Sequence, residues 1–186
     1  VIDSEGLYQK GEIKLFKEYG VRIPDNDWKI FRGCTEEKFY KISMSRYNIK
    51  ENREIFINKG RQYIKKEFDK SLKYKKGFLD FLKKIKNKYK TGLVTASPLS
   101  SLNYVNKILN IKKLFKHIIT ADNCINSKPH PEPYLKMMKK LKLQNKLTII
   151  IEDSINGMIS AKSSGAFVVG IAGSIEKQDM PSPDII

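Results

Sequence analysis

The stretch LTIIIEDSINGMISAKSSGAFVVGI, Leu147 to Ile171, decides the fold. Its apolar run Leu147–Ile151 is too short for a buried helix and too continuous for a strand with one wet face. It reads as a strand buried on both sides. Two acids and a serine follow, then a helical pattern over Ile155–Ser163, then Gly165 and a second apolar run, Phe167–Ile171. A strand, a helix of about ten residues and another strand form the unit of a parallel sheet.

The same rhythm extends upstream. A helix over Gly77–Tyr89 leads into Thr91–Thr95. One over Pro98–Leu109 leads into His117–Thr120, and one over Pro131–Leu141 leads back to Leu147. Residues 4 to about 72 read differently, as three amphipathic helices with no strand. Their apolar positions are Leu7, Ile13, Leu15, Phe16 and Tyr19; then Phe39, Tyr40, Ile42, Met44 and Tyr47; then Ile55, Phe56, Tyr63, Ile64 and Phe68. The expected architecture is therefore α/β, a Rossmann-like three-layer parallel-sheet core with an inserted α-helical module. The core takes residues 1–4 and 73–186, and the helical module takes residues 5–72.

In an open parallel sheet, ligands gather beyond the carboxyl ends of the strands. Those ends carry Thr95-Ala96-Ser97-Pro98, then Lys128 ahead of two prolines, then Glu152-Asp153-Ser154. A hydroxyl beside a helix N-terminus, free backbone N–H groups and an ammonium make a phosphate cradle. Paired carboxylates are hard oxygen donors that suit Mg²⁺. The set implies metal-assisted phosphoryl transfer. Each residue alone has a plainer reading: Thr95 as a helix cap, Lys128 as a surface charge, Asp153 or Ser154 as a cap for the next helix. In the helical module, Arg32-Gly33 precedes a helix opened by Thr35, a place where N–H groups can face an anion.

Net charge is +16, from 36 basic and 20 acidic residues. Lys supplies 31 of the basic residues and Arg five, which disfavours base reading, and the lysines are dispersed along helices. Nucleic acid is therefore not the expected partner. Cys34 and Cys124 stand alone, as in a reduced cytoplasmic setting. His117 and His130 have no metal-binding spacing and read as structural. No apolar run reaches the ~20 residues that span a bilayer.

These motifs, taken in order, resemble the haloacid dehalogenase superfamily, in its β-phosphoglucomutase-like branch with a helical cap. The segments that carry the likeness are VIDSE, FRGCTEE, KKGFLDFLKKI, LVTASP, NSKPHPEPY and IIIEDSINGMISAKSSGAFVVGI, which cover essentially the whole chain. The resemblance implies that Thr95 and Ala96, with Ser97, hold the transferring phosphoryl group and that Lys128 neutralises it. It implies that Asp153, with Glu152, binds Mg²⁺, and that Gly157 admits a close helix. Arg32, Gly33 and Thr35 of the cap would help select the leaving group. The ligand would be a small phosphorylated metabolite, the enzyme a phosphatase or a hexose-phosphate mutase, and the chain a monomer. The family's first strand ends in DxDGxLxDS, and Val1-Ile2-Asp3-Ser4 matches only its tail. On that register the nucleophilic Asp lies about five residues before Val1, and residues 1–186 alone are expected to be inactive. The competing expectation is a basic binding protein built on the same fold without catalysis.

Overall fold

A computed structural model describes residues 1–31, 34, 36–172 and 175–186. Arg32, Gly33 and Thr35, singled out above, lie outside the described residues. The chain divides into two compact units, Val1–Phe78 and Leu79–Ile186.

The first unit opens with β1 (Ile2–Asp3) and α1 (Glu5–Glu18), continues through the short α2 (Trp28–Phe31), α3 (Glu36–Arg46) and α4 (Arg53–Ser71), and closes with β2 (Lys73–Tyr74). β1 and β2 pair antiparallel, Ile2 opposite Tyr74 and Asp3 opposite Lys73, so both strands belong to this unit. Neither strand shows in the periodicity because each is only two residues long. The N-terminus of α4 is capped by Asn52, whose side chain accepts from the N–H groups of Glu54 (2.9 Å) and Ile55 (3.2 Å). Leu15, Phe16, Phe39, Tyr40 and Phe56 form the core. Phe16 and Phe56 meet edge to face with centroids 5.5 Å apart. Ile13 and Ile55, read as part of the apolar stripes, are 47% and 48% exposed. Close helix approach comes from small residues. A Cβ on Gly11 of α1 would lie 2.8 Å from Ile64 of α4, and one on Gly60 of α4 only 2.0 Å from the Tyr40 hydroxyl. An ion pair between exposed Arg46 and buried Asp27 pins α3 to the segment before α2: Arg46 donates to Asp27 at 2.6 and 2.8 Å, and Tyr47 donates to the same carboxylate at 2.6 Å.

α5 (Phe78–Ile85) begins at the boundary, and the second unit runs on through β3 (Gly92–Val94), α6 (Leu99–Leu109), β4 (His117–Ile119), α7 (Glu132–Leu141), β5 (Ile149–Glu152), α8 (Ile155–Ser163) and β6 (Phe167–Gly170). The alternation foreseen from the sequence is present. β3 pairs parallel with β4, and β5 parallel with β6. The four strands form two ladders rather than one continuous sheet among the described residues. The two ladders nonetheless run in the same direction. Lys128 reaches both Val94 at the end of β3 and Glu152 at the end of β5. At the opposite edge, Lys90 ahead of β3 donates to Leu141 at the end of α7, which feeds β5. Tyr134, Met138, Ile150, Met158, Ala161 and Val168 pack the core between α7, α8 and the β5–β6 ladder. Among the described residues, no helix is long and apolar enough to cross a membrane.

Candidate active site

The carboxyl ends of β3, β4 and β5 gather the site. After Val94 the chain leaves β3 at half-buried Thr95, whose N–H donates to Ile119 of β4 at 2.9 Å. The Thr95 hydroxyl does not cap α6. It accepts the N–H of Ser97 at 3.1 Å, which fixes the turn through exposed Ala96 and half-buried Ser97. The N–H of Leu99, at the start of α6, is taken at 2.5 Å by Asp122, a capping acid that follows β4. The sequence reading passed over Asp122 because the cap lies 23 residues away from the helix it serves.

Lys128 arrives on a firmly tied loop. Glu132, in the first turn of α7, accepts N–H groups from Ile125 (2.9 Å) and Asn126 (2.8 Å) and pairs with Lys136 at 2.7 Å. Lys136, then those two backbone bonds, hold its carboxyl down to about 2. Ser160, fully buried in α8, donates to the His130 carbonyl at 2.7 Å. The Lys128–Pro129 peptide between them is cis. The ties from Glu132 and Ser160 hold the loop with the Lys128 ammonium inward, only 8% exposed.

There the ammonium meets Glu152, also 8% exposed. Lys128 and the Tyr134 hydroxyl both donate to Oε1 of Glu152. Oε2 accepts from the hydroxyl of Ser154 at 3.0 Å and from the N–H groups of Asp153 (3.2 Å) and Ser154 (3.3 Å). The Lys128 ammonium also stands 4.8 Å from the Tyr134 ring centroid and donates to the Val94 carbonyl at 3.4 Å. Burial pushes the Glu152 carboxyl up, but the Lys128 charge and the donors from Lys128, Tyr134 and Ser154 outweigh it and hold it below the ordinary range. Burial, and then the Glu152 charge, raise the Tyr134 phenol. Gly157 makes room for this cage, since a Cβ there would sit 2.1 Å from the Glu152 carboxyl.

The two adjacent acids are thus unlike. Glu152, expected as a metal-facing acid, spends both oxygens on protein donors. Asp153, half-buried at the end of β5, makes no side-chain hydrogen bond or ion pair among the described residues. It is the oxygen donor open to a cation. No group of three His, Cys, Asp or Glu poised for a metal occurs among the described residues. Tyr134 is the member the sequence reading missed. It lies on the apolar stripe of α7, where an aromatic reads as core, and only the fold shows that its hydroxyl ends on Glu152.

The description "haloacid dehalogenase-like hydrolase" fits residues 1–171 of the chain as a family match. A phosphorylated carbohydrates phosphatase of Thermotoga maritima is 28% identical over 166 residues, covering 89% of this chain and 77% of that protein. Hexitol phosphatase B of Escherichia coli K12 is 37% identical over 73 residues, and that match spans a third of its length (33%). Among solved structures, one from Thermotoga maritima described as a candidate beta-phosphoglucomutase superposes with a TM-score of 0.82 at 27% identity. It covers 95% of this chain and 83% of its own. The match covers most of the chain, and the chain belongs to the haloacid dehalogenase-like hydrolase family.

Proposed function

We propose that this protein is a Mg²⁺-dependent phosphatase of small phosphorylated metabolites, sugar phosphates among them. The carrying observation is the inward Lys128 ammonium held by Glu152 and Tyr134 beside the Thr95–Ser97 turn, with the Asp153 carboxylate uncommitted next to it. The phosphatase names of the relatives support the reading.

Thr95, Ser97 and the N–H groups of their turn would hold the phosphoryl oxygens, and Lys128 would neutralise part of their charge. Glu152 keeps Lys128 pointing inward. Asp153 would hold Mg²⁺, which supplies charge neutralisation at the phosphoryl oxygens. The attacking carboxylate is an aspartate outside residues 1–186. Its oxygen bonds to phosphorus as the ester oxygen leaves and takes up a proton, and water then cleaves the phosphoaspartate. Arg32, Gly33 and Thr35 would contribute to choice of the leaving group. The setting of the reaction is the cytoplasm and the protein acts as a monomer.

The test compares residues 1–186 with the chain carrying whatever its gene encodes before Val1, on p-nitrophenyl phosphate and a panel of sugar phosphates. Turnover by the longer chain that Mg²⁺ restores after EDTA, and that Asp153→Asn abolishes, is the expected result. Turnover indifferent to EDTA would overturn the metal assignment. The structural likeness to a candidate beta-phosphoglucomutase keeps a mutase as the second reading. A requirement for a sugar bisphosphate as primer would establish it.

A further inference from the structure

The lysines that looked dispersed in sequence are gathered by the fold. Both parallel ladders run the same way, so the segments entering β3, β4 and β5 share one edge of the second unit, opposite the site. Those segments carry Lys88, Lys90, Lys112, Lys113, Lys140 and Lys146, all exposed. No Asp or Glu occurs between Asp80 and Asp122, or between Glu132 and Glu152. The acids of this unit are Asp80 on α5, 4.0 Å from Lys83; Asp122, Glu132, Glu152 and Asp153 towards the carboxyl edge; and those of the C-terminal segment, where Asp184 pairs with Lys162. None of the six lysines forms an ion pair among the described residues. Helix dipoles favour cations in a last turn, which accounts for Lys140 but not for the lysines on the connecting segments. Between Lys88 and Lys90 stands Tyr89, 67% exposed, with no aromatic neighbour among the described residues. An open aromatic flanked by ammonium groups that face no carboxylate is the pattern of a single-strand platform, in which lysines follow phosphates and a ring stacks on a base.

We propose that this amino-terminal edge of the sheet binds single-stranded nucleic acid without base preference, phosphates resting on the lysines and a base stacking on Tyr89. The scarcity of Arg argues against base reading and is compatible with backbone binding. The proposal does not depend on the phosphatase reading, since no catalytic residue takes part.

Fluorescence anisotropy tests it with labelled oligo-dT and oligo-U of about twenty nucleotides, a duplex of equal length and phosphatidylserine vesicles. Both single strands are expected to bind in low salt, with affinity falling linearly in a log–log plot against NaCl. K88E/K113E/K140E should flatten that slope by about two units, each lost phosphate contact removing ~0.7. K17E/K41E/K50E, on exposed lysines of the first unit, should leave it unchanged. Y89A should weaken single-strand binding by about five- to 150-fold while Y89W retains it. The proposal falls if the control triple matches the test triple, if Y89A changes nothing, or if duplex or vesicles bind as tightly as the single strands.

Discussion

Among the described residues of the second unit, Glu152 accepts from more donors than any other carboxylate, and two of these donors stand out. The Lys128 ammonium supplies the countercharge, and Tyr134 supplies a neutral donor from a buried ring. Removing one partner of a buried pair leaves an uncompensated charge, which costs about 3–5 kcal/mol. Lys128→Met is expected to destabilise the chain by that amount in urea unfolding. Lys128→Met with Glu152→Gln should cost clearly less than Lys128→Met alone, because the stranded charge goes with its partner. Equal losses would mean that the pair contributes only shape. Tyr134→Phe keeps the ring under the ammonium and deletes one donor to a charged acceptor, so a loss of about 1–3 kcal/mol is expected in the same measurement. At this scale the sequence was readable where chemistry and position coincide. Thr95, Glu152 and Asp153 each follow an apolar run and so fall at strand ends, and Lys128 is marked by the prolines that follow it. Tyr134 and Asp122 were not, because an aromatic on a helix stripe and an acid in a loop announce nothing until the chain folds. The division of labour between Glu152 and Asp153 was equally hidden, since the two acids are adjacent and nothing in their spacing separates their roles.

α8 and α7 are positioned by features that a propensity scale would misjudge. Gly157 sits in the first turns of α8, where Ala would ordinarily gain up to ~1 kcal/mol. Here an added methyl would come within 2.1 Å of the Glu152 carboxyl. Gly157→Ala is therefore expected to destabilise by about 1–3 kcal/mol, the size of an overpacking penalty, with a lowered melting temperature as readout. A stabilised variant would mean the cage is loose. α7 depends on Glu132, whose carboxylate ties the Ile125–Asn126 backbone to the helix start. Its carboxyl lies at about 2 in the folded chain, against an ordinary 4.5. A depressed acid contributes stability in full above its unfolded value and loses it as pH falls through the folded one. The stability difference between the wild-type chain and Glu132→Gln should thus be constant above pH ~5 and shrink steadily from there towards pH ~2. A difference that does not change between pH 5 and 2.5 would sink the assignment. Helix positions in this unit were legible from their stripes and Pro or Gly boundaries. The tie from Glu132 to the preceding loop was not, because a first-turn acid also serves as a dipole complement.

At the scale of the molecule, repulsion among like charges opposes an uncovered apolar face. The alternation of strands and helices was legible throughout the second unit, whereas the split into two ladders was not, since apolar runs specify burial and not which edges pair. Likewise the two-residue strands that close the first unit are too short to leave a period. One result of this arrangement is that β5 and β6 turn outward-facing residues to solvent: Ile149 is 66% exposed and its cross-strand neighbour Phe167 42%, Ile151 is 47% exposed, and Leu147 just before β5 is 76% exposed. A contiguous apolar surface of this kind favours self-association. The +16 net charge opposes it over a range set by the Debye length, about 30 Å at 0.01 M salt and ~8 Å at 0.15 M. The chain is expected to be monomeric in low salt and to associate as NaCl rises, by light scattering coupled to size exclusion. Ile149→Thr with Ile151→Thr keeps β-branched residues in the strand and removes apolar area, so it should shift the onset of association to higher salt. If the double variant associates at the same salt concentration as the wild-type chain, the β5–β6 face is not the contact, and the dispersed exposed residues Tyr8, Ile30 and Phe81 become the surfaces to test.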